Sequence, residues 1–299
     1  MSRRGWLLFL AMGLIWGIPY LLIKVAVTGG LTPAGLVLLR TGIGAAILLP
    51  LAARGGGLRS LLPHWKTVLI YTVIEVTLPW GLLSDAERRL SSSLTGLLLG
   101  AVPLIGAAIT LLPGGSADRL DLRRGIGLLV GFGGVAALIG LDISGGDLVA
   151  AGEMALVSLG YAIGPIIISR RLAGVSVVSV VAISLAITAL LYLPIGVSQL
   201  PAHLPATPVL LAVAVLGVIC TAIAFPVFFA LIAEVGPTRA QMITYVNPAV
   251  AIGLGLVVLG EALTAGKVVG FALILGGLLL ASGRRQSARV GLPAEAAAP

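Results

Sequence analysis

The chain has 299 residues, 59% of them hydrophobic and 10% charged, with a mean hydropathy of +1.15 and a formal charge of +8. Soluble domains carry about a quarter charged residues, so this composition excludes an ordinary water-soluble domain and points to membrane spans. A single cysteine, Cys220, excludes an intramolecular disulfide, and two histidines far apart in sequence, His64 and His203, argue against a structural zinc site.

In chain order, ten apolar runs are separated by Gly, Pro and charged residues: 6–27, 33–53, 64–84, 91–112, 124–141, 148–169, 174–198, 208–233, 237–259 and 266–283. Each is near the ~20 residues that cross a bilayer. Helices are expected, because backbone in lipid must satisfy its own hydrogen bonds, and no period-2 alternation points to strands. The first run follows Ser2-Arg3-Arg4, as a secretory signal does, but it continues to about Val27, so a retained helix is expected. With the N-terminus placed inside, fourteen basic residues fall on the inside and three, Arg88, Arg89 and Lys267, fall outside. That bias predicts both termini in the cytoplasm. The positive charge thus reads as topology rather than as a nucleic-acid surface. Residues 284–299 are basic, then Ala/Pro-rich, and are expected to form a disordered cytoplasmic tail.

A shift of 145 residues brings Pro103 onto Pro248, Gly115 onto Gly260, Gly125 onto Gly270 and Gly131 onto Gly276. Trp16 then meets Tyr161 and Pro19 meets Gly164. A shared offset over half a chain predicts duplication, with repeats at 1–141 and 148–283. Five crossings per repeat would insert the second copy upside down. Inverted repeats are the architecture of many alternating-access carriers, with the site near the midplane.

The motif Ile15-Trp16-Gly17-Ile18-Pro19-Tyr20-Leu21-Leu22-Ile23-Lys24, with Leu38-Leu39-Arg40 in the second run, resembles the drug/metabolite transporter superfamily, EamA type. Asn247-Pro248-Ala249-Val250 and Leu259-Gly260-Glu261 look like that family's helix-nine signature. The resemblance covers about 6–283 and implies a ten-helix inverted-repeat exporter of metabolites. Within the superfamily the chain looks closest to the YddG-like amino-acid exporters. One departure is Leu112-Pro113-Gly114-Gly115-Ser116, where the first copy lacks the Gly-Glu that the second carries at Glu261.

Four ionisable residues fall inside the apolar runs: Lys24, Arg40, Glu75 and Glu153. Intramembrane charges are costly and mark functional sites or buried pairs. Glu75 lies near mid-depth, where it would meet a substrate ammonium, a proton or a fixed partner. Glu153 is shallower, a candidate for charge pairing or coupling. Lys24 and Arg40 would bind a carboxylate, or else snorkel and orient. Tyr71 and Glu75 share a helix face, as do Trp16 and Tyr20. With Tyr161, Tyr245 and the buried amide of Asn247 they are candidate cavity-lining residues. An interfacial belt fits Trp6, Trp65 and Trp80. Pro19, Pro79, Pro103 and Pro248 are hinge candidates. Glycine pairs such as Gly13/Gly17 and Gly160/Gly164 predict close helix contacts.

No catalytic constellation and no metal or cofactor motif stands out, which disfavours an enzyme. Spans this apolar disfavour a channel. The reading is a secondary transporter of the inner (plasma) membrane, exporting neutral or aromatic amino acids by alternating access. Another metabolite or drug is the alternative cargo. The expected partners are a small-molecule substrate and lipid, with no nucleic acid, and the chain is expected to act as a monomer.

Overall fold

The computed structural model describes residues 1–54, 57–109, 111, 122–143 and 147–282. Among them every regular element is helical and no strand occurs. Eight helices are long and apolar enough to cross a membrane: α1 (Arg3–Thr28), α2 (Pro33–Arg54), α3 (Arg59–Arg89), α4 (Ser92–Ile109), α5 (Leu122–Asp142), α6 (Leu148–Arg171), α7 (Val177–Ser198) and α8 (Thr207–Val235). Two shorter apolar helices follow, α9 (Ile243–Leu259) and α10 (Ala265–Ser282). The expected ten runs thus appear as eight long helices and two short ones. The Leu112–Ser116 departure and the 284–299 tail lie outside the described residues.

Two boundaries differ from those read in the sequence. The third apolar run ends near residue 84, but α3 continues to Arg89. Asp85 pairs with Arg88 at 3.2 Å and with Arg89 at 2.8 Å, the i,i+3 and i,i+4 spacings that support a helix outside an apolar run. The ninth run begins with a single turn, Pro237–Ala240, before α9 starts at Ile243. Gly260, at φ 66°, caps α9 in the left-handed conformation that glycine adopts without steric penalty.

Several helices are interrupted. α1 breaks at Ile18, where Pro19 opens a new helical segment. α4 tightens to a 3₁₀ turn over Leu99–Ala101, just ahead of Pro103. Pro248, the counterpart of Pro103 in the 145-residue shift, sits in an uninterrupted helix. α3 and α8 each widen to a π-helical turn, at Thr72–Thr77 and Val218–Ile223. These two turns start 218 − 72 = 146 residues apart, and each is followed by a helix of 12 residues, Leu78–Arg89 and Ala224–Val235.

The most extensive helix pairs are α5 with α10 and α2 with α7. Small residues permit this proximity. A Cβ on Gly134 would lie 2.8 Å from the backbone nitrogen of Ile274, and one on Gly127 2.5 Å from that of Ala281. Gly13 and Gly17 of α1 receive Val246 and Val250 of α9 in the same way.

The turn between α3 and α4 is clamped from two sides. Lys24 Nζ donates to the carbonyl oxygens of Glu87 and Leu90, both at 2.7 Å, answering the free acceptors at the end of α3. Glu261, beyond the end of α9, accepts from the backbone N–H groups of Ser92 at 2.7 Å and Ser93 at 3.0 Å, and from the Ser93 hydroxyl. A carboxylate at the start of α4 also suits its dipole. Lys267 stands behind Glu261 at 3.8 Å. Glu261→Ala would leave these donors unanswered, at about 1–3 kcal/mol for each buried group. The expected result is a lower unfolding temperature in detergent, with Glu261→Gln intermediate. A wild-type melt for Glu261→Ala would show that this carboxylate does not hold the turn.

Candidate functional site

The π turn of α3 carries Glu75 and is held on both sides. Thr72 Oγ1 lies 2.8 Å from Ser184 Oγ, and Thr77 Oγ1 lies 2.8 Å from Thr188 Oγ1, both on α7. Tyr192 donates to the Thr77 carbonyl at 3.1 Å. On the opposite side α6 presents Gly160 and Gly164. A Cβ on Gly160 would strike the carbonyl oxygen of Ile74, and one on Gly164 would strike the Glu75 carboxylate. Pro79, four residues after Glu75, has no N–H to return to the Glu75 carbonyl, which favours the wider turn.

Glu75 Oε2 is shielded from solvent and has no hydrogen-bond donor. Tyr71 and Tyr161 are its polar neighbours. Glu75 as a whole is half-buried, and a carboxyl oxygen shielded without a donor is a costly arrangement unless the group holds a proton or meets a cation.

Arg40 of α2 is 8% exposed. Its Nε donates to Thr221 Oγ1 at 3.1 Å, in the π turn of α8, and its guanidinium lies 3.7 Å from the ring centroid of Trp80. The hydroxyls of Tyr20 and Tyr161 and the Cys220 thiol lie within its electrostatic reach. Among the described residues no carboxylate comes within ion-pairing distance of it. Cation–π contact and one hydroxyl leave the guanidinium edge free for an anion. Tyr161 has both Arg40 and Glu75 among its charged neighbours, so one phenol lies near the unpaired cation and the unpaired acid alike.

The structure therefore brings Arg40, Glu75, Tyr71, Tyr161 and Tyr20 into one neighbourhood. It places the other sequence candidates elsewhere. Trp16 packs on Phe225 and Phe228 of α8, with ring centroids 6.0 and 4.7 Å away. Asn247, its amide oriented by its surroundings, donates to Ile243 O at 3.1 Å and to Gly13 O at 3.2 Å, joining α9 to α1. Tyr245 packs against the main core cluster. Glu153 accepts from Arg89 at 2.5 Å, and Lys24 sits in the clamp. Two open pockets, of about 250 and 410 Å³, lie at helix ends away from Arg40 and Glu75.

Trp80 is a correction. The sequence reading assigned it to the interfacial belt, yet it is 7% exposed and lies under Arg40. Trp6 and Trp65, by contrast, are exposed. The cause is the true end of α3. Counted back from Arg89, Trp80 lies about 13 Å inside the helix at 1.5 Å per residue. Glu87 is the second residue the sequence reading missed, and for the same reason. Thr221 is the third. It stands 146 residues after Glu75 (221 − 75), so an alignment one residue wider than the 145 shift would have found it.

These features define a multi-pass helical membrane protein with an unpaired cation and an unpaired acid in its interior. The profile of the EamA-like transporter family matches residues 3–140 and 149–283, and the chain belongs to that family of membrane transporters. It is 29% identical over 275 residues to the uncharacterized inner membrane transporter YedA of Escherichia coli K12, covering 89% of this chain and 88% of that protein. The YedA of strain O157:H7 matches to the same extent. A solved crystal structure with 24% identity superposes with a TM-score of 0.66 over 94% of this chain and 98% of its own, which supports the fold. Family and relatives are transporters, in line with a protein that does no covalent chemistry.

Gly160→Ala and Gly164→Ala separate scaffold from site. At Gly160 the new methyl meets backbone, and overpacking of that kind is destabilising by about 1–3 kcal/mol. Thermal unfolding of Gly160→Ala should fall clearly below wild type. At Gly164 the methyl meets the Glu75 side chain, from its carboxylate to its Cβ at 3.1 Å, but no backbone, so the melt should change less while Glu75 is displaced. Equal melts for the two variants would contradict this packing.

Proposed function

We propose that the protein is a secondary transporter that exports small zwitterionic metabolites, neutral or aromatic amino acids, across the inner membrane by alternating access. The observation that carries this reading is the separated pair Arg40 and Glu75, each without an ion partner among the described residues, with Tyr161 near both. A substrate carboxylate would meet the free edge of Arg40 and its ammonium would meet Glu75. Tyr71, Tyr20 and Trp80 would bound an apolar side chain. The solute would thus supply the partners that the protein omits.

The mechanism proposed is rocking of two inverted five-helix repeats around a central cavity, with both termini cytoplasmic. Its support is the pairing of equivalents. α5 packs on α10 and α2 on α7, while α3 packs on α6 as α8 packs on α1. The two π turns at a common spacing fit the same two-fold relation. The family's transport role and the inner-membrane location of YedA support the setting.

Two measurements test this. In proteoliposomes, wild-type protein should exchange labelled phenylalanine by counterflow. Glu75→Gln and Arg40→Lys should each slow exchange by about tenfold or more, the equivalent of one lost contact of about 1.4 kcal/mol. Wild-type rates in both would remove these residues from the site. Exchange of a different solute in a substrate panel, with phenylalanine inert, would replace the assigned cargo. For topology, a cysteine placed within 142–147 should react from the side opposite to both termini. Reaction from the same side would overturn the inverted arrangement.

A further inference from the structure

Glu87 is the least compensated charged group in the described residues outside the proposed site. It is 0% exposed, and neither carboxyl oxygen has a hydrogen-bond partner. It sits in the clamped turn between α3 and α4. Lys24 and Tyr20 face it from α1, and Glu261 faces it from beyond α9, with Lys267 behind. On its own helix Asp85 and Arg89 are engaged with one another and with Glu153 of α6. Lys24 does not neutralise it directly. The ammonium is spent on the carbonyls of Glu87 and Leu90, and no Nζ–Oε contact falls within 4.0 Å.

Glu261 and Glu87 are like groups in one small volume with opposite surroundings. Glu261 has three donors and a lysine, the environment of a carboxylate ion. Glu87 has none, and a second negative charge beside Glu261 would add repulsion to the loss of hydration. An open pocket of about 250 Å³ lies beside the turn, lined by Arg89, Leu90 and Ser91, which follow Glu87 in the chain, and by the charged groups Asp142, Asp147, Glu261 and Lys267.

The geometry points to Glu87 as a proton-binding site whose occupancy is linked to the closed α3–α4 turn. With the turn closed the side chain is the neutral acid. When Glu261 releases Ser92 and Ser93, water reaches Glu87 and the O–H proton passes to it, leaving the carboxylate beside Lys24. Closing reverses the step and takes one proton back. The sign follows from linkage: the closed state binds more protons, so lower pH favours closing. In the proposed orientation this turn lies on the external face, and external pH would then set how readily the carrier closes. That last consequence rests on the carrier reading; the proton site does not.

The test uses full-length protein in proteoliposomes without substrate. Infrared spectra should show a carboxylic-acid C=O band that Glu87→Gln removes, that Glu87→Asp shifts, and that Glu75→Gln leaves in place. For the linkage, Ser92→Cys in a Cys220→Ser background provides a thiol at a position that is 0% exposed in the closed turn. Its maleimide labelling should rise with pH more steeply in the Glu87 protein than in Glu87→Gln, by up to about tenfold per pH unit for one linked proton. A carboxylate rather than an acid band lost in Glu87→Gln would mean that Glu87 is ionised against Lys24, and would overturn the proposal. Identical labelling profiles would overturn the linkage. Neither readout needs transport, so absence of phenylalanine counterflow would count against the carrier reading alone.

Discussion

A backbone in hydrocarbon has no water to bond with, and this constraint orders the structure. Each helix end, proline gap and buried hydroxyl must be answered by another part of the chain. The clamp on the α3–α4 turn is the clearest case. One lysine supplies the end of α3 with donors and one glutamate supplies the start of α4 with an acceptor, from helices far apart in sequence. The threonines of the α3 π turn find hydroxyl partners on α7 for the same reason. Against this background the groups left without partners carry information. Among the described residues Arg40 has no anion, and Glu75 Oε2 and both oxygens of Glu87 have no donor. In a solvent that cannot compensate them, such omissions are costly and mark candidate functional sites.

The two π turns show how the fold places those groups. A π turn rotates the residues that follow it relative to an α-helix. In α3 it carries Glu75 toward α6, where Gly160 and Gly164 leave room for a carbonyl and a carboxylate. In α8 the corresponding turn carries Thr221, whose hydroxyl donates to Leu216 O at 2.8 Å and accepts from Arg40. Equivalent distortions thus present an acid on one side and a neutral hydroxyl on the other. The Arg40 position is asymmetric too: one deletion in the shift, which brings Pro50 onto Pro194, sets Ser184 opposite Arg40, and Ser184 bonds Thr72. The two π turns thus resemble one another in backbone while their side chains differ in charge.

The helical membrane architecture and the transporter class were legible in the sequence, because hydropathy is set by the solvent and needs no tertiary contact to reveal it. Arg40, Glu75 and the tyrosines stood out for a related reason: charge and aromatic rings are rare in such a chain. What was illegible depended on where a helix ends. The segment Ser84-Asp85-Ala86-Glu87-Arg88-Arg89 reads as a polar loop by hydropathy, yet its own ion pairs carry α3 through it. That one boundary hid Glu87 and set Trp80 at the wrong depth. Asn247 was ambiguous by nature, because a buried amide needs a partner but its type does not say which, and here Gly13 and Ile243 fill the role.

Trp80 links the two unpartnered regions. It lies under Arg40, and seven residues later, about two turns, the same helix brings Glu87 into the clamp. Tyr20 does the same from α1, with Arg40 and Glu87 both among its charged neighbours, four residues before Lys24. Two rigid segments therefore run from the interior site to the turn. Because α3 and α1 are each interrupted, by a π turn and by Pro19, these segments can move as units while the rest of each helix stays packed. Arg40 and Glu87 are thus reached from the same two helical segments, one on each side.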